Sequence, residues 1–321
     1  MGIRKLNTII KQYSSGSITT KRIEFYSGKT FAIDCSILLY KYVYVTTIEN
    51  SHLIGFMNRA NYYMRYNILP VFVFDGIPPK EKEDTINKRQ LNKKKIVEKI
   101  QELKEKRLTT KISDEIKVID LDISKLNNQL IYINKYHILE CKELLTAMGV
   151  PYFDAPGEAE KFCVYLQKIN KVDYVVTDDT DAFTFGGTNI IKTSIKNNNI
   201  IEVNLNQLLK DLKMSYEEFV DFCILCGCDY AEPISYIGPI TAYNLINKHR
   251  TLEEVNEKSK YEITFDYEKI RNIFTNYDNM PEIQNLTLNK PDPIILTQFL
   301  SKYNLTKQSN FSKLFTNMNI S

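Results

Sequence analysis

The sequence predicts an α/β fold built on a mainly parallel central sheet, and three observations lead there. Short β-favouring runs recur up to about residue 205, stretches of helical periodicity lie between them, and several runs end on an aspartate. In such sheets ligands gather beyond the carboxyl ends of the strands. The acids at those ends are therefore the first candidates for chemistry.

Taken in order, the runs are Thr30-Phe31-Ala32-Ile33-Asp34, Pro70 to Asp75, Val150 to Phe153, Val172 to Thr177 and Asn189 to Lys192. Asp34, Asp75 and the Asp178-Asp179-Thr180-Asp181 group stand at or just past their ends. Pro156 and Gly157 shape a turn, after which Glu158 opens a helical pattern through Phe162, Cys163 and Leu166. From Lys80 to Arg107 there are eleven Lys/Arg against six Asp/Glu, with Leu91, Ile96, Ile100 and Leu103 at helical spacing. Charge alone fits a solvated amphipathic helix laced with i,i+4 pairs as well as a basic insertion that handles a nucleic-acid backbone. Beyond about Leu205 strand signals stop and helical segments take over. The expected division is a core over 1–205 and a helical region over 206–321.

The 321 residues suffice to bury a substantial core without disulfides or structural metal. With 42 Lys/Arg against 39 Asp/Glu the net charge is only +3, so the electrostatic case for a nucleic-acid partner rests on distribution. The longest apolar runs are far shorter than a membrane span, and Met1-Gly2-Ile3-Arg4-Lys5-Leu6 lacks the apolar stretch of a signal peptide. Six cysteines make no disulfide framework; Cys223-x-x-Cys226-x-Cys228 lacks a second ligand pair for zinc and reads as small buried residues. The expectation is a soluble intracellular protein, for which a monomer suffices.

Asp34, Asp75, Glu158, Glu160, Asp179 and Asp181 can converge on one mouth of the sheet. Carboxylates gathered so closely repel one another unless cations sit among them. Oxygen ligands without a matching His/Cys set point to Mg²⁺ or Mn²⁺ rather than zinc. Two such ions roughly 3.5–4 Å apart activate a water and stabilise the leaving oxygen of a phosphodiester, so no covalent protein nucleophile is needed. A Ser/His/Asp arrangement is poorly supported, since none of His52, His137 and His249 stands in a nucleophile-elbow context.

These residues resemble the flap-endonuclease/XPG superfamily of structure-specific 5′ nucleases. The resemblance rests on Met1-Gly2-Ile3, Ala32-Ile33-Asp34, Phe72 to Pro79, Ala155 to Glu160, Thr177 to Asp181 and Cys226-Gly227-Cys228-Asp229-Tyr230, and extends to about Val255. It implies a PIN-like sheet, a helical arch over 80–137 through which a free 5′ strand passes, and a helix-hairpin-helix motif near 229–250. It also implies seven metal-site carboxylates: Asp34, Asp75, Glu158, Glu160, Asp179, Asp181 and Asp229. Two Mg²⁺ ions are implied there, with Mn²⁺ as a substitute. Lys82 and Arg89 match the basic pair that meets the scissile phosphate, and Tyr40 matches an aromatic on which the adjacent base stacks. Gly2 matches a glycine beside the active site, and Arg59 a phosphate-steering arginine. Ile237, Gly238 and Pro239 match the hairpin turn that presents backbone N–H groups to phosphate, with K⁺ as a bridging ion. Gly238 is expected to provide the tight turn.

The match implies hydrolysis at single-strand/duplex junctions of DNA (a 5′ flap, gap or junction), with accompanying 5′-3′ exonuclease activity. It also implies a role in replication and repair, in the nucleus or wherever DNA is replicated. Departures are visible: Tyr236 replaces the first hairpin glycine, Ile240 a basic residue, Thr47 an arginine, and Glu49 is nearly alone in place of an acidic stretch. Gln308, Phe311, Leu314 and Phe315 form a degenerate sliding-clamp pattern that a final packing helix explains as well. Two competing readings stay open, an exonuclease of the same superfamily and a catalytically silent DNA-binding scaffold.

Overall fold

The computed structural model describes residues 2–45, 49–127, 129–130, 133–231 and 233–305, so Thr47 and the clamp-like residues Gln308 to Phe315 lie outside the described residues. Its strands are β1 (Ile18–Arg22), β2 (Thr30–Asp34), β3 (Leu69–Phe74), β4 (Tyr152–Asp154), β5 (Tyr174–Val176), β6 (Asn189–Lys196) and β7 (Asn199–Asn204). They form one sheet in the order β1-β7-β6-β5-β2-β3-β4. The neighbours from β6 to β4 run parallel, whereas β7 is antiparallel to both β6 and β1.

The sequence reading did not anticipate β1 and β7. β1 is an edge strand with largely solvated side chains, so it lacks an apolar run. β7 follows β6 through Asn197 and Asn198, both in the left-handed region (φ 52° and 60°), a two-residue hairpin signal that could have been read. β6 also continues past Lys192, across an irregular register between Ile191 and Ile195. At β4, the pairing starts two residues beyond Val150, whose N–H instead bonds back to the Leu145 carbonyl at 2.9 Å.

The helices are α1 (Leu6–Tyr13), α2 (Cys35–Val45), α3 (Ser51–Arg65), α4 (Glu83–Thr109), α5 (Ser113–Asn127), α6 (Lys135–Ala147), α7 (Ala159–Lys168) and the single turn α8 (Asp181–Thr184). After β7 come α9 (Leu205–Leu212), α10 (Tyr216–Cys226), α11 (Pro239–His249), α12 (Leu252–Lys258), α13 (Tyr267–Thr275) and α14 (Pro293–Lys302). Side chains alternate across the sheet, as the strand period of two requires. Ala32, Val71, Val73 and Val175 join one core with α1 and α7 to α13. Phe31, Ile33, Phe72, Phe74 and Val176 join another with α2, α3, α6 and α14. Both faces are covered, which is why the parallel strands read as continuous apolar runs.

α4 and α5 stand apart from both cores as a helical pair, with Ile100 and Ile119 their buried residues and Arg107 paired to Asp120. The packed stripe is Ile96, Ile100 and Leu103, while Leu91 remains 53% exposed. His137 lies in the first turn of α6, where Asn134 caps the helix by accepting from the Tyr136 and His137 N–H groups. Among the described residues, no helix is long and apolar enough to cross a membrane.

Candidate active site

Sheet order explains why residues far apart in sequence meet. β5, β2, β3 and β4 are neighbours running the same way, so the segments leaving their carboxyl ends share one rim. β2 delivers Asp34, β3 delivers Asp75, the turn after β4 delivers Glu158 and Glu160, and the turn after β5 delivers Asp179 and Asp181. Asp229 arrives from the segment after α10. Asp34, Asp75, Glu158, Glu160, Asp179 and Asp229 line one cleft together with Lys82 and Arg89. Asp181 lies beneath them, fully buried.

Hydrogen bonds orient most of these acids. The Thr177 hydroxyl donates to Asp34 at 2.8 Å, and the Ser36 N–H to its other oxygen at 2.9 Å. Asp75 accepts from the Ser36 hydroxyl and, at 2.8 Å, from the Ala159 N–H. Asp179 accepts from the Asp181 N–H at 3.0 Å. Glu158 accepts from the Tyr230 hydroxyl and from the Lys82 amine, which also lies 3.2 Å from Asp229. Arg89 reaches both oxygens of Asp229, at 3.0 and 2.8 Å.

Electrostatics identifies what the cluster requires. Burial, then the neighbouring Glu158 and Asp34, holds the Glu160 carboxyl well above the ordinary range; burial, then Asp179 and Asp229, does the same to Asp181. Burial and Asp75 push Asp34 up as well. Burial opposes the charge on Lys82, but Glu158 and Glu160 outweigh it and hold that amine above its usual value. Glu160, Asp179 and Asp181 bring carboxylate oxygens within 4.8 Å of one another, and both Asp181 oxygens are buried with no hydrogen-bond partner among the described residues. An oxygen-rich site of this charge and closeness fits a divalent cation.

The other expected residues fall at varying distances from the acids. Gly2 packs against Asp179 and Thr180 in the left-handed region (φ 84°), where any side chain would overlap the Asp179 carboxylate. Tyr40 is 44% exposed on α2, on the helical face of Ser36 and Ile37, which line the cleft. Arg59 is held elsewhere, by the Tyr42 and Tyr63 hydroxyls at 3.2 and 3.3 Å. In the hairpin segment the tight turn expected of Gly238 belongs to Tyr236, which is 94% exposed with φ 66°. Gly238 itself is extended at φ −98° and precedes α11 as its cap, with Pro239 in the first turn. Ile237 is a core residue whose N–H already donates to the Ile234 carbonyl at 3.2 Å, so neither its side chain nor its N–H is offered to a ligand. Gly238 needs no special conformation because α11 starts from ordinary extended backbone; the reversal has already happened at Tyr236.

Ser36, Thr177 and Lys41 take roles that the sequence alone does not assign them. The two hydroxyls stand two residues after and two before cleft acids, a spacing that suits local side-chain bonding. Lys41 bonds to Asp178 at 2.5 Å and to Thr193, tying α2 to the loop that carries Asp179. Asp178 is thus paired with Lys41 and Thr193.

Comparison with known proteins places this geometry. The XPG N-terminal domain profile matches residues 1–96 and the XPG I-region profile residues 149–229. Flap endonuclease 1 of Tetrahymena thermophila is 34% identical over 94% of this chain and 83% of its own length. Flap endonuclease 1 of Brugia malayi is 35% identical over 94% and 82%. Among solved structures, the catalytic core of Rad2 in complex with DNA substrate shares the fold, with TM-score 0.75 at 23% identity over 99% of this chain and 100% of that one. Flap endonuclease-1 from Methanococcus jannaschii has TM-score 0.67 at 25% identity over 96% of each.

Metal-dependent hydrolysis of phosphodiester bonds is the class of chemistry that such a fold and acid cluster define. The chain belongs to the flap-endonuclease family of the XPG superfamily, whose members are structure-specific nucleases.

Proposed function

We propose that the chain cuts DNA at the junction of a 5′ single strand with duplex, using two Mg²⁺ ions, for which Mn²⁺ substitutes. The carrying observation is the Glu160, Asp179 and Asp181 cluster, with its unpartnered Asp181 oxygens, beside the cations Lys82 and Arg89. Asp34, Asp75, Glu158, Glu160, Asp179, Asp181 and Asp229 would hold the metals. When bound, the ions supply a nucleophile at neutral pH and stabilise charge on the leaving oxygen.

The chain's own residues do the rest. Lys82 and Arg89 leave Glu158 and Asp229 to meet the scissile phosphate and stabilise charge as it develops. Tyr40 offers its ring to the adjacent base, and a frayed end costs least to unpair. Arg59 and the first turn of α11 contact backbone phosphates, which set position without reading bases, and the segment of Ile237, Gly238 and Pro239 would hold K⁺ beside them. The α4–α5 pair forms an arch over the 5′ strand as part of a nuclease core over 1–205, and 206–321 grips duplex. Exonuclease action from 5′ ends follows from the same site, with a role in replication and repair inside the cell.

The test is cleavage of an end-labelled 5′-flap duplex in Mg²⁺, with EDTA and Asp181→Ala as controls, repeated on a blunt duplex. Junction cutting that both controls abolish, and a flap preferred over the blunt end, is the expected result. Tight junction binding without cutting in Mg²⁺ or Mn²⁺ would leave a DNA-binding scaffold instead.

A further inference from the structure

A second cavity shares a wall with the acid cleft. Along the segment that follows β3, Gly76 and Pro78 line the acids, whereas Ile77 and Pro79 line the neighbouring cavity. Gly157 and Glu158 border both. The partition is firmly tied: the Gly76 N–H donates to the Gly157 carbonyl at 2.7 Å and the Ala155 N–H to the Phe74 carbonyl at 2.9 Å. A side chain at position 76 would collide with the Ala155 carbonyl, so the two strands of the partition lie as close as backbone allows. The opposite wall comes from α13 and the turn after it, with Asn272, Asn276 and Met280.

The lining chemistry selects the ligand. Lys161, a cation of this cavity, is drawn towards its wall, where its amine donates to the Ile273 carbonyl at 2.7 Å and lies 5.3 Å from the Tyr277 ring centroid, while Asp278 adds negative charge. A phosphate is therefore poorly served. Ile77, Pro79, Pro156 and Met280 provide apolar surface, and Ile77 is 83% exposed at the rim. Asn276 already accepts the Asp278 N–H at 2.6 Å, which turns its NH₂ group to other acceptors. Apolar walls edged by side-chain amides suit a flat group with a hydrogen-bonding rim, and a nucleobase is such a group.

We propose that this cavity receives an unstacked nucleobase of the cleaved strand, within two nucleotides of the scissile phosphate. The proposal rests on the nuclease reading and assigns Ile77, Asn272 and Asn276 to substrate positioning. Continuity with the cleft through Glu158 is what makes the strand itself, rather than a free nucleotide, the occupant.

The experiment pairs the variant Ile77→Ala/Asn272→Ala with 5′-flap substrates carrying one abasic residue at each of the four positions nearest the scissile phosphate. At one position the native chain should lose about tenfold in kcat/KM, within the range expected for a stacked base. The variant should show the same loss on the intact flap and no further loss on that abasic substrate, because the two changes remove one interaction. Losses that multiply at every position, or no abasic penalty at all, overturn the proposal. Binding of flaps with 2-aminopurine at these positions, followed by fluorescence in EDTA, reads the cavity without cleavage. A chain that cuts nothing in Mg²⁺ overturns the nuclease reading, and 2-aminopurine signals unchanged by the variant overturn the cavity's role.

Discussion

Replacing Lys82 with methionine keeps a long apolar stem and removes the ammonium, so its effects can be worked from the contacts. The amine pairs with Glu158, lies 3.2 Å from Asp229 and sits 5.9 Å from the Tyr230 ring centroid. The side chains of Lys82 and Glu158 are only 13% and 7% exposed, so water screens this pair little. Removing one partner of a buried pair costs about 3–5 kcal/mol. Glu158 retains the Tyr230 hydroxyl and Asp229 retains Arg89, which puts the expected loss near the lower figure, about 3 kcal/mol in EDTA. Divalent metal among the acids takes over their neutralisation, so the deficit should narrow to about 1 kcal/mol in saturating Mg²⁺. Loss of a charge-stabilising donor at the phosphate should lower kcat about 100- to 1,000-fold. Urea titrations with and without Mg²⁺, and single-turnover cleavage of an end-labelled flap, measure the two effects separately. Equal stability of variant and native chain in EDTA refutes the ion-pair argument, and a kcat within about threefold of native refutes the role at the phosphate.

Gly2→Ala forces a methyl group against the Asp179 carboxylate from a left-handed backbone position, and should cut kcat by about 100-fold with little change in flap binding in EDTA. Arg271 grips Asp221, 3% exposed, at 2.5 and 2.7 Å, and Glu253 at 2.5 and 2.7 Å; Arg271→Met should cost about 3–5 kcal/mol in urea unfolding, and a loss under about 1 kcal/mol would contradict the buried-pair argument. Glu160 and Asp181 are pushed up by burial and neighbouring acids, so the folded metal-free chain keeps protons that the unfolded chain has already released. Stability in EDTA should therefore fall as pH rises above the ordinary carboxylate range, and Mg²⁺ should flatten the decline; a midpoint that rises with pH there in EDTA would contradict this.

Much of the site is legible in the sequence, because its elements are local. β2, β3 and β5 are buried on both faces and show as apolar runs, and their acids follow at the strand ends. Glu158 and Glu160 were marked by the Pro156-Gly157 turn and the helix after it. β1 was hidden because a solvated edge strand carries little apolar signal, whereas β7 was legible in the Asn197-Asn198 turn that precedes it. The hairpin segment misled for a related reason: residue type suggested Gly238 for the tight turn, but packing of Ile237 into the core sets the chain direction and leaves Tyr236 to reverse it.

The sequence by itself pointed to metal-dependent phosphodiester chemistry, through carboxylates placed at strand ends and the motifs that resemble a nuclease superfamily. It also determined which segments would be strands wherever burial imposed a pattern. Only the tertiary structure decided that Thr177, Ser36 and Tyr230 orient the acids of the cleft, that Asp178 pairs with Lys41, and that the Asp181 oxygens have no hydrogen-bond partner among the described residues. The reason is physical: strand order and helix packing bring remote residues together, and the charge, burial and orientation of each acid depend on those neighbours rather than on the residues beside it in the chain.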